Sequence, residues 1–210
     1  MDTNLPAYIS RNSSKLSSGC VALFQTAQIH HLDKIREEIS GPDVGRILQL
    51  FATNAKNVLE VGTLIGLGTM FIAEALPSNG KVTTVDIENG PAQELARRFW
   101  QDYGLLNKIN AVWGRDILEF IPEIEDDSLD LVFVDAIKAD YGKYLEAILP
   151  KVRSRGTFIF DDTLDGNMES PQTERDEAIV EFNGHLSRDR RFLYVNILDI
   201  GDGLTIAVKK

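Results

Sequence analysis

From Asn57 onward, short apolar segments rich in β-branched and aromatic residues alternate with stretches of helical character. This alternation is typical of a parallel β-sheet that is covered by helices on both faces. The predicted strands cover residues 57–61, 81–87, 109–113, 129–135, 157–161, 191–198 and 204–208. The pattern therefore predicts a doubly wound, Rossmann-like α/β fold with seven strands.

The apolar runs also predict the order of burial within the sheet. Residues 129–134 and 157–160 are almost continuously apolar, which is typical of central strands that are buried on both faces. Asp202 and Gly203 separate the last two runs and favour a tight hairpin. We therefore expect a mostly parallel sheet that ends in an antiparallel pair at one edge.

The segment before the sheet is predicted to be helical. One helix is expected over residues 16–38, followed by a break at 40–42 and a second helix that begins at Asp43, with Asp43 as its N-cap. The chain has no internal repeat or low-complexity linker. We therefore expect a single domain over residues 1–210, with an N-terminal helical region (1–56) and an α/β core (57–210).

Composition excludes several classes of function. The chain has 32 acidic and 22 basic residues and a formal net charge of −10, which argues against a large nucleic-acid interface. Its one cysteine, Cys20, permits neither an intramolecular disulfide nor a cysteine-based zinc site, so carboxylates are the expected ligands of any metal. No apolar run reaches the length of a membrane span and no signal peptide is evident, so we expect a cytoplasmic protein without membrane contact.

Acidic residues follow the predicted strands at their carboxyl ends, where open parallel sheets bind ligands. They are Glu60, Asp86, Asp116, Asp135, Asp161 and Asp162. Because the carboxyl ends of parallel strands share one edge of the sheet, we expect these side chains to line one site.

Glycine residues follow Glu60 at the end of the first strand. Gly62, Gly66 and Gly68 allow a sharp turn and a close approach of the backbone to a ligand at the start of a helix. Their spacing, G-x-x-x-G-x-G, differs from the G-x-G-x-x-G of dinucleotide-binding proteins, which argues against NAD.

Asp86 and Asp116 each have two interpretations. Asp86 ends the second strand, where a carboxylate can accept hydrogen bonds from the ribose hydroxyls of a nucleoside, or it can cap the helix that starts near Gly90. Asp116 follows Gly114 and can accept a hydrogen bond from an adenine amino group or act as a helix N-cap.

Three carboxylates and one lysine are expected to meet beyond the two central strands. Asp135, Asp161 and Asp162 would repel one another, and a divalent ion such as Mg²⁺ would relieve that repulsion. Lys138 beside such a cation would have a lowered pKa and could act as a base; the alternative is an exposed lysine at a helix start.

With these residues the sequence resembles the class I S-adenosylmethionine-dependent O-methyltransferases of the caffeoyl-CoA and catechol type, from about Ser40 to the C-terminus. The resemblance implies that residues after the first strand hold the methionine part of the donor, and that further donor contacts follow the second, third and fourth strands. The implied donor contacts are Glu60, Gly62, Thr63, Gly66, Gly68, Asp86, Ile87, Gly114, Asp116 and Asp135; the implied metal ligands are Asp135, Asp161 and Asp162, with Lys138 as the catalytic lysine. Two positions depart from the family pattern, since Gly68 stands where serine or threonine is frequent and Asp162 where asparagine is common.

The resemblance also implies a reaction. A divalent ion (Mg²⁺, or Mn²⁺ or Ca²⁺) would chelate two neighbouring oxygens of a catechol-like small molecule, and Lys138 would assist deprotonation before in-line methyl transfer. Two alternatives are a donor-binding protein that has lost catalysis and an NAD-dependent oxidoreductase. We further expect a homodimer formed through the N-terminal helix, and acceptor selection by the N-terminal helical region and residues 163–173. At most one residue of the pair His30 and His31 is expected to be functional.

Overall fold

The computed structural model describes residues 5–29 and 39–210 and contains the predicted seven-stranded sheet. The order of the strands is β3-β2-β1-β4-β5-β7-β6, in which β1 to β5 are parallel and β7 is antiparallel to both of its neighbours. The strands are β1 (Asn57–Val61), β2 (Lys81–Asp86), β3 (Ile109–Trp113), β4 (Leu129–Val134), β5 (Val152–Phe160), β6 (Phe192–Leu198) and β7 (Leu204–Lys209). The doubly wound fold and its antiparallel end are confirmed.

Helices lie before and between these strands. They are α1 (Leu5–Asn12), α2 (Ser18–Ile29), α3 (Pro42–Ala52), α4 (Leu67–Ala75), α5 (Pro91–Asp102), α6 (Ile117–Phe120), α7 (Tyr141–Ile148) and α8 (Glu174–Leu186). In the part of the chain that the structure describes, no helix is both long and apolar enough to cross a membrane.

Several boundaries differ from those predicted, and most of the strand ends that differ do so by one residue. Helix α3 begins at Pro42 with Gly41 as its N-cap, so the prediction that Asp43 caps this helix is wrong; Asp43 instead pairs with Arg46 at 2.8 Å in the first turn. Strand β5 begins at Val152, five residues earlier than predicted, because a register shift against β4 lets the exposed, charged stretch 153–155 continue the strand. Helix α1 was not predicted. Of the predicted helix 16–38, α2 covers 18–29, and residues 30–38 lie outside the described part.

The hydrophobic core lies on both faces of the sheet. Helix α2 contributes Cys20, Leu23 and Ala27, each at most 1% exposed, to the same cluster as α3 and α4. Burial raises the pKa of the Cys20 thiol to about 12, which fits a buried, unreactive cysteine. Because α2 uses its apolar side within its own chain, an unused apolar face on this helix no longer supports the predicted homodimer.

Candidate active site

The glycine-rich turn between β1 and α4 forms one wall of a solvent-open cleft at the carboxyl end of the sheet. Gly62 has φ +97°, and a Cβ placed there would lie 1.9 Å from the carbonyl oxygen of Asp135. Only glycine therefore allows the turn to pass so close to the end of β4. As a result Glu60, Thr63, Gly68 and Asp135 line the same cleft.

Glu60 is the most deeply buried acid of this cleft, with 1% of its surface exposed. Its Oε2 accepts a hydrogen bond from the Thr69 hydroxyl. Burial raises the pKa of Glu60 to about 8, although the hydroxyls of Thr69 and Thr84 favour the ionised form. The negative fields of Asp135 and Asp86 raise the pKa further.

Asp86 holds the glycine-rich turn in place. Its Oδ2 accepts hydrogen bonds from the backbone N–H groups of Thr63 (2.8 Å) and Leu64 (2.9 Å), and its Oδ1 accepts one from the N–H of Glu88 (2.9 Å). The alternative that Asp86 caps the following helix is wrong, since Gly90 is the N-cap of α5. Ile87, next to this carboxylate, is 62% exposed, which suits an apolar contact with a ligand.

Asp116 is an N-cap, as one of its two interpretations predicted. Its Oδ1 accepts a hydrogen bond of 2.7 Å from the N–H of Leu118 and so begins helix α6. Gly114, with φ +71°, donates its N–H to the carbonyl of Glu88 at 3.1 Å. The turn after β3 is thereby joined to the turn after β2, and the turn that carries Gly114 and Asp116 lies beside Asp86.

Asp135, Asp161, Asp162 and Lys138 converge beyond β4 and β5, as predicted. The Lys138 ammonium lies 2.8 Å from Asp135 Oδ1 and 2.9 Å from Asp162 Oδ2. The Lys138 side chain is 9% exposed, so the alternative of an exposed lysine at a helix start is wrong.

The carboxylates of this cluster lie close enough to one another to alter the pKa values within it. Burial, reinforced by the nearby Asp135 and Asp162 carboxylates, raises the pKa of Asp161 to about 7. Burial disfavours the charged form of Lys138, but the carboxylates of Asp135 and Asp162 outweigh it and raise the pKa of the ammonium above its ordinary value. Lys138 therefore keeps its proton beside these carboxylates. The predicted lowering of its pKa applies beside a bound cation and stays a prediction.

The donor set suits a hard divalent cation, because it consists of carboxylate oxygens whose mutual repulsion a cation would relieve. Among residues 5–29 and 39–210, no three Asp, Glu, His or Cys side chains have their ligating atoms gathered around one point. Instead, the Lys138 ammonium lies between two of the three carboxylates. The chemistry of the carboxylates thus suits a hard divalent cation.

The sequence did not predict two residues that organise the acidic cluster. The Ser40 hydroxyl lies 3.1 Å from Asp135 Oδ2 and 2.8 Å from Asp161 Oδ2, and joins the two carboxylates. The Tyr141 hydroxyl donates to the carbonyls of Asp161 (2.9 Å) and Val134 (3.2 Å), and fixes the ends of both strands. The only sequence signal for Ser40 was its place at the predicted break between two helices. His30 and His31 lie outside the described residues.

Residues 163–173, which follow the acidic cluster, are held at both ends. At the start, the N–H of Thr163 donates to the carbonyl of Gly203 at 2.9 Å, and Asn183 Nδ2 donates to the carbonyl of Thr163 at 2.7 Å. At the end, Asp176 accepts hydrogen bonds from the N–H of Gln172 (2.9 Å) and the hydroxyl of Thr173 (2.7 Å). The C-terminal hairpin and helix α8 therefore determine where this segment lies beside the cluster.

Comparison with known proteins decides the family. A family model described as O-methyltransferase matches residues 12–210. The chain belongs to this family of S-adenosylmethionine-dependent O-methyltransferases. The match includes every candidate residue described above.

Individual O-methyltransferases agree with this assignment. The chain is 34% identical over 178 residues to a caffeoyl-CoA O-methyltransferase of Populus kitakamiensis. The alignment covers 78% of this chain and 75% of that protein. The chain is also 34% identical over 163 residues to tapetum-specific methyltransferase 1 of Arabidopsis thaliana, covering 73% and 69%. An O-methyltransferase of Bacillus cereus in complex with SAH (S-adenosylhomocysteine) has the same fold, with a TM-score of 0.82, 24% identity and coverage of 99% and 98%.

Proposed function

We propose that this O-methyltransferase binds S-adenosylmethionine in the glycine-rich cleft and methylates a catechol-like small molecule held beside it with the help of a divalent cation. The observation that carries the proposal is the convergence of three carboxylates and a buried lysine beyond β4 and β5, next to the cleft that contains Glu60. A binding protein for the donor alone has no need of this second, charged cluster.

The donor is a cation at its sulfonium and ammonium groups, and the cleft offers negative charge to both. Glu60 and Asp135 line the cleft and would attract these groups. Asp86 has one bond at Oδ1, which leaves this oxygen able to accept a ribose hydroxyl. Ile87 provides an exposed apolar surface for the adenine, with Gly114 and Asp116 on the neighbouring turn.

Asp135, Asp161 and Asp162 are the residues that would hold a divalent cation, with Mg²⁺ as the first candidate and Mn²⁺ or Ca²⁺ as others. When bound, it supplies positive charge that binds two neighbouring acceptor oxygens and lowers the pKa of a hydroxyl. Lys138 would receive the hydroxyl proton as a neutral amine, so its ammonium would first release a proton to solvent. A positive charge that neutralises Asp135 and Asp162 would favour this release. Hydrogen bonds from Ser40 and Tyr141 would hold the ends of β4 and β5 in place for this proton transfer.

The acceptor class is supported by the relatives rather than by the cleft itself. Several of them are named caffeoyl-CoA O-methyltransferases, and a caffeoyl group carries two adjacent aromatic hydroxyls. Two adjacent oxygens are also what a single hard cation can bind together. We therefore propose a hydroxylated aromatic acceptor.

Methyl transfer from labelled S-adenosylmethionine to a series of polyhydroxylated aromatics tests this proposal. We expect incorporation with Mg²⁺, loss of incorporation with EDTA, and recovery when Mg²⁺ is added in excess. Calorimetry with S-adenosylhomocysteine and with NAD serves as the control for the donor site, and we expect binding of the former only. Methylation that persists under EDTA would contradict the metal assignment, and binding of S-adenosylhomocysteine without methylation of any acceptor would favour a protein that has lost catalysis.

A further inference from the structure

We infer that Thr69, acting with Gly68 and Thr84, is a positioning residue that orients the Glu60 carboxylate toward the ammonium group of the donor. This inference rests on the proposed donor site and assigns a role to Thr69 and Thr84, which lie outside it. The evidence comes from both oxygens of the Glu60 carboxylate and from the space around them.

One carboxylate oxygen is fixed by Thr69. This threonine lies in the first turn of α4, is fully buried, and donates its hydroxyl to Glu60 Oε2. A buried hydroxyl whose partner is a carboxylate makes a charge-assisted hydrogen bond, which restricts the rotation of the carboxylate. Glu60 Oε2 is therefore directed toward helix α4.

The other carboxylate oxygen lies above Gly68. A Cβ at this position would be 2.6 Å from Glu60 Oε1 and 3.3 Å from the ring of Phe133. Any side chain at residue 68 would therefore push the carboxylate out of its place. Glycine at 68, where serine or threonine is frequent in the family, leaves Oε1 room at the cleft that Glu60 and Gly68 line together.

Thr84 completes the arrangement from the neighbouring strand. Its hydroxyl lies 2.7 Å from the Thr63 hydroxyl and favours the ionised form of the Glu60 carboxylate. All three threonines are buried, with exposures of 0% for Thr69 and Thr84 and 3% for Thr63. The Thr84 hydroxyl therefore joins the buried surroundings of Glu60 to Thr63 in the glycine-rich turn.

The same hydrogen bonds would form if Thr69 only stabilised the fold. Binding measurements with two different ligands distinguish this structural role from the proposed positioning role. If Thr69 only stabilises the fold, its loss should change the affinity of every donor-site ligand alike. If Thr69 orients Glu60, only ligands that carry the ammonium group should be affected. S-adenosylhomocysteine has this group, and 5′-methylthioadenosine lacks the entire amino-acid part.

The decisive experiment is calorimetry of Thr69→Val with both ligands. We expect roughly tenfold weaker binding of S-adenosylhomocysteine, equivalent to about 1.4 kcal/mol, because a hydrogen bond to a charged group is lost. Binding of 5′-methylthioadenosine should be unchanged, and Thr69→Ser should restore the affinity for S-adenosylhomocysteine. Thr53→Val, at an exposed threonine after α3, is the matched control and should bind both ligands like the unaltered protein.

Gly68→Ala gives the same test if Thr69→Val is too unstable to assay. Its Cβ would displace Glu60 Oε1, the mobile end of a side chain, while Thr69 remains. We expect the same selective loss of S-adenosylhomocysteine binding. Equal affinities for this ligand in the variants and the unaltered protein would overturn the inference, as would parallel losses for both ligands. Failure of the unaltered protein to bind S-adenosylhomocysteine would instead contradict the donor site itself.

Discussion

At the scale of single residues, the environment of Lys138 has the strongest bearing on the proposed reaction. This lysine is held by Asp135 and Asp162 at 2.8 and 2.9 Å, and both carboxylates raise its pKa. If it receives the acceptor proton, Lys138→Met should lower kcat by roughly a hundredfold or more, the usual effect of removing a general base. The affinity for S-adenosylhomocysteine should change little. Steady-state kinetics with labelled donor and calorimetry measure the two effects.

Lys143→Met is the control for this variant. Lys143 lies on α7, next to the segment that carries Lys138, and its ammonium forms a surface ion pair of 2.6 Å with Asp140. Surface pairs contribute little to stability, so this variant should keep its activity. A Lys138→Met enzyme with an unchanged kcat would contradict the assignment of Lys138 as the base.

The sequence predicted the charged residues of the site but not the hydroxyls that organise them. Asp135, Asp161, Asp162 and Lys138 were predictable because ionisable residues at the ends of apolar strands are conspicuous. Ser40 was not, since its partner Asp135 is 95 positions away and serine is common in loops. Thr69 was equally inconspicuous, because nothing in a helical threonine indicates that its hydroxyl faces a buried glutamate.

At the scale of elements, helix α8 controls the segment that follows the acidic cluster. Hydrogen bonds from Thr173 and Gln172 lower the pKa of Asp176, so the carboxylate is ionised in the folded protein. Asp176→Ala should release residues 163–173 and raise the KM for the acceptor several-fold, with little change in the affinity for S-adenosylhomocysteine. Faster hydrogen exchange at the amides of Asn167 and Gln172 would measure the release.

The pH dependence of the contacts that Asp176 makes with residues 172 and 173 follows from the direction of its pKa shift. A carboxyl group with a lowered folded-state pKa contributes stability that is present above its ordinary pKa and is lost as pH falls through the folded value. Amide exchange in 163–173, corrected for its intrinsic pH dependence, should therefore accelerate only below about pH 4. Glu177→Ala, at an exposed acid in the same helical turn, is the control. Loss of protection in both variants would contradict a specific role for Asp176.

Element boundaries were less predictable than the elements themselves. The apolar run 157–160 identified β5, but its first half was missed because Arg153, Ser154 and Arg155 are exposed and Arg155 has φ +63°. Charged residues followed by glycine resemble a turn unless the neighbouring strand is known. The N-cap of α3 was misplaced for a similar reason, since Pro42 can occupy the first position of a helix and moves the start one residue earlier.

At the scale of the whole molecule, the strand order explains why one chain forms both halves of the site. The order reverses at β1 and β4, so the turn with Glu60 and the end of β4 with Asp135 border one cleft. Helix α2 packs into the same core as α3 and α4. We therefore propose that residues 1–210 form one methyltransferase domain; the homodimer stays a prediction.

The buried acids of the two proposed binding sites, Glu60 and Asp161, should also reduce the stability of the unliganded protein. The pKa of Glu60 rises from 4.5 to about 8, and that of Asp161 from 3.8 to about 7. Between these limits the folded protein binds more protons than the unfolded chain. The free energy of unfolding should therefore fall as pH rises from about 5 to about 8, by at most about 1.4 kcal/mol per pH unit for each group.

Urea unfolding at several pH values, without divalent cations, measures this fall. Glu60→Gln should remove part of the pH dependence, because the amide does not ionise. S-adenosylhomocysteine should reduce the fall at the upper end of the range, since its ammonium group stabilises the ionised carboxylate and a ligand that binds the folded state stabilises it. Two results would contradict this prediction: stability that rises between about pH 5 and about pH 8 in the unaltered protein, or a Glu60→Gln variant with the same slope. Either would show that folding does not raise the pKa of Glu60, so that donor binding would displace no proton from this carboxylate.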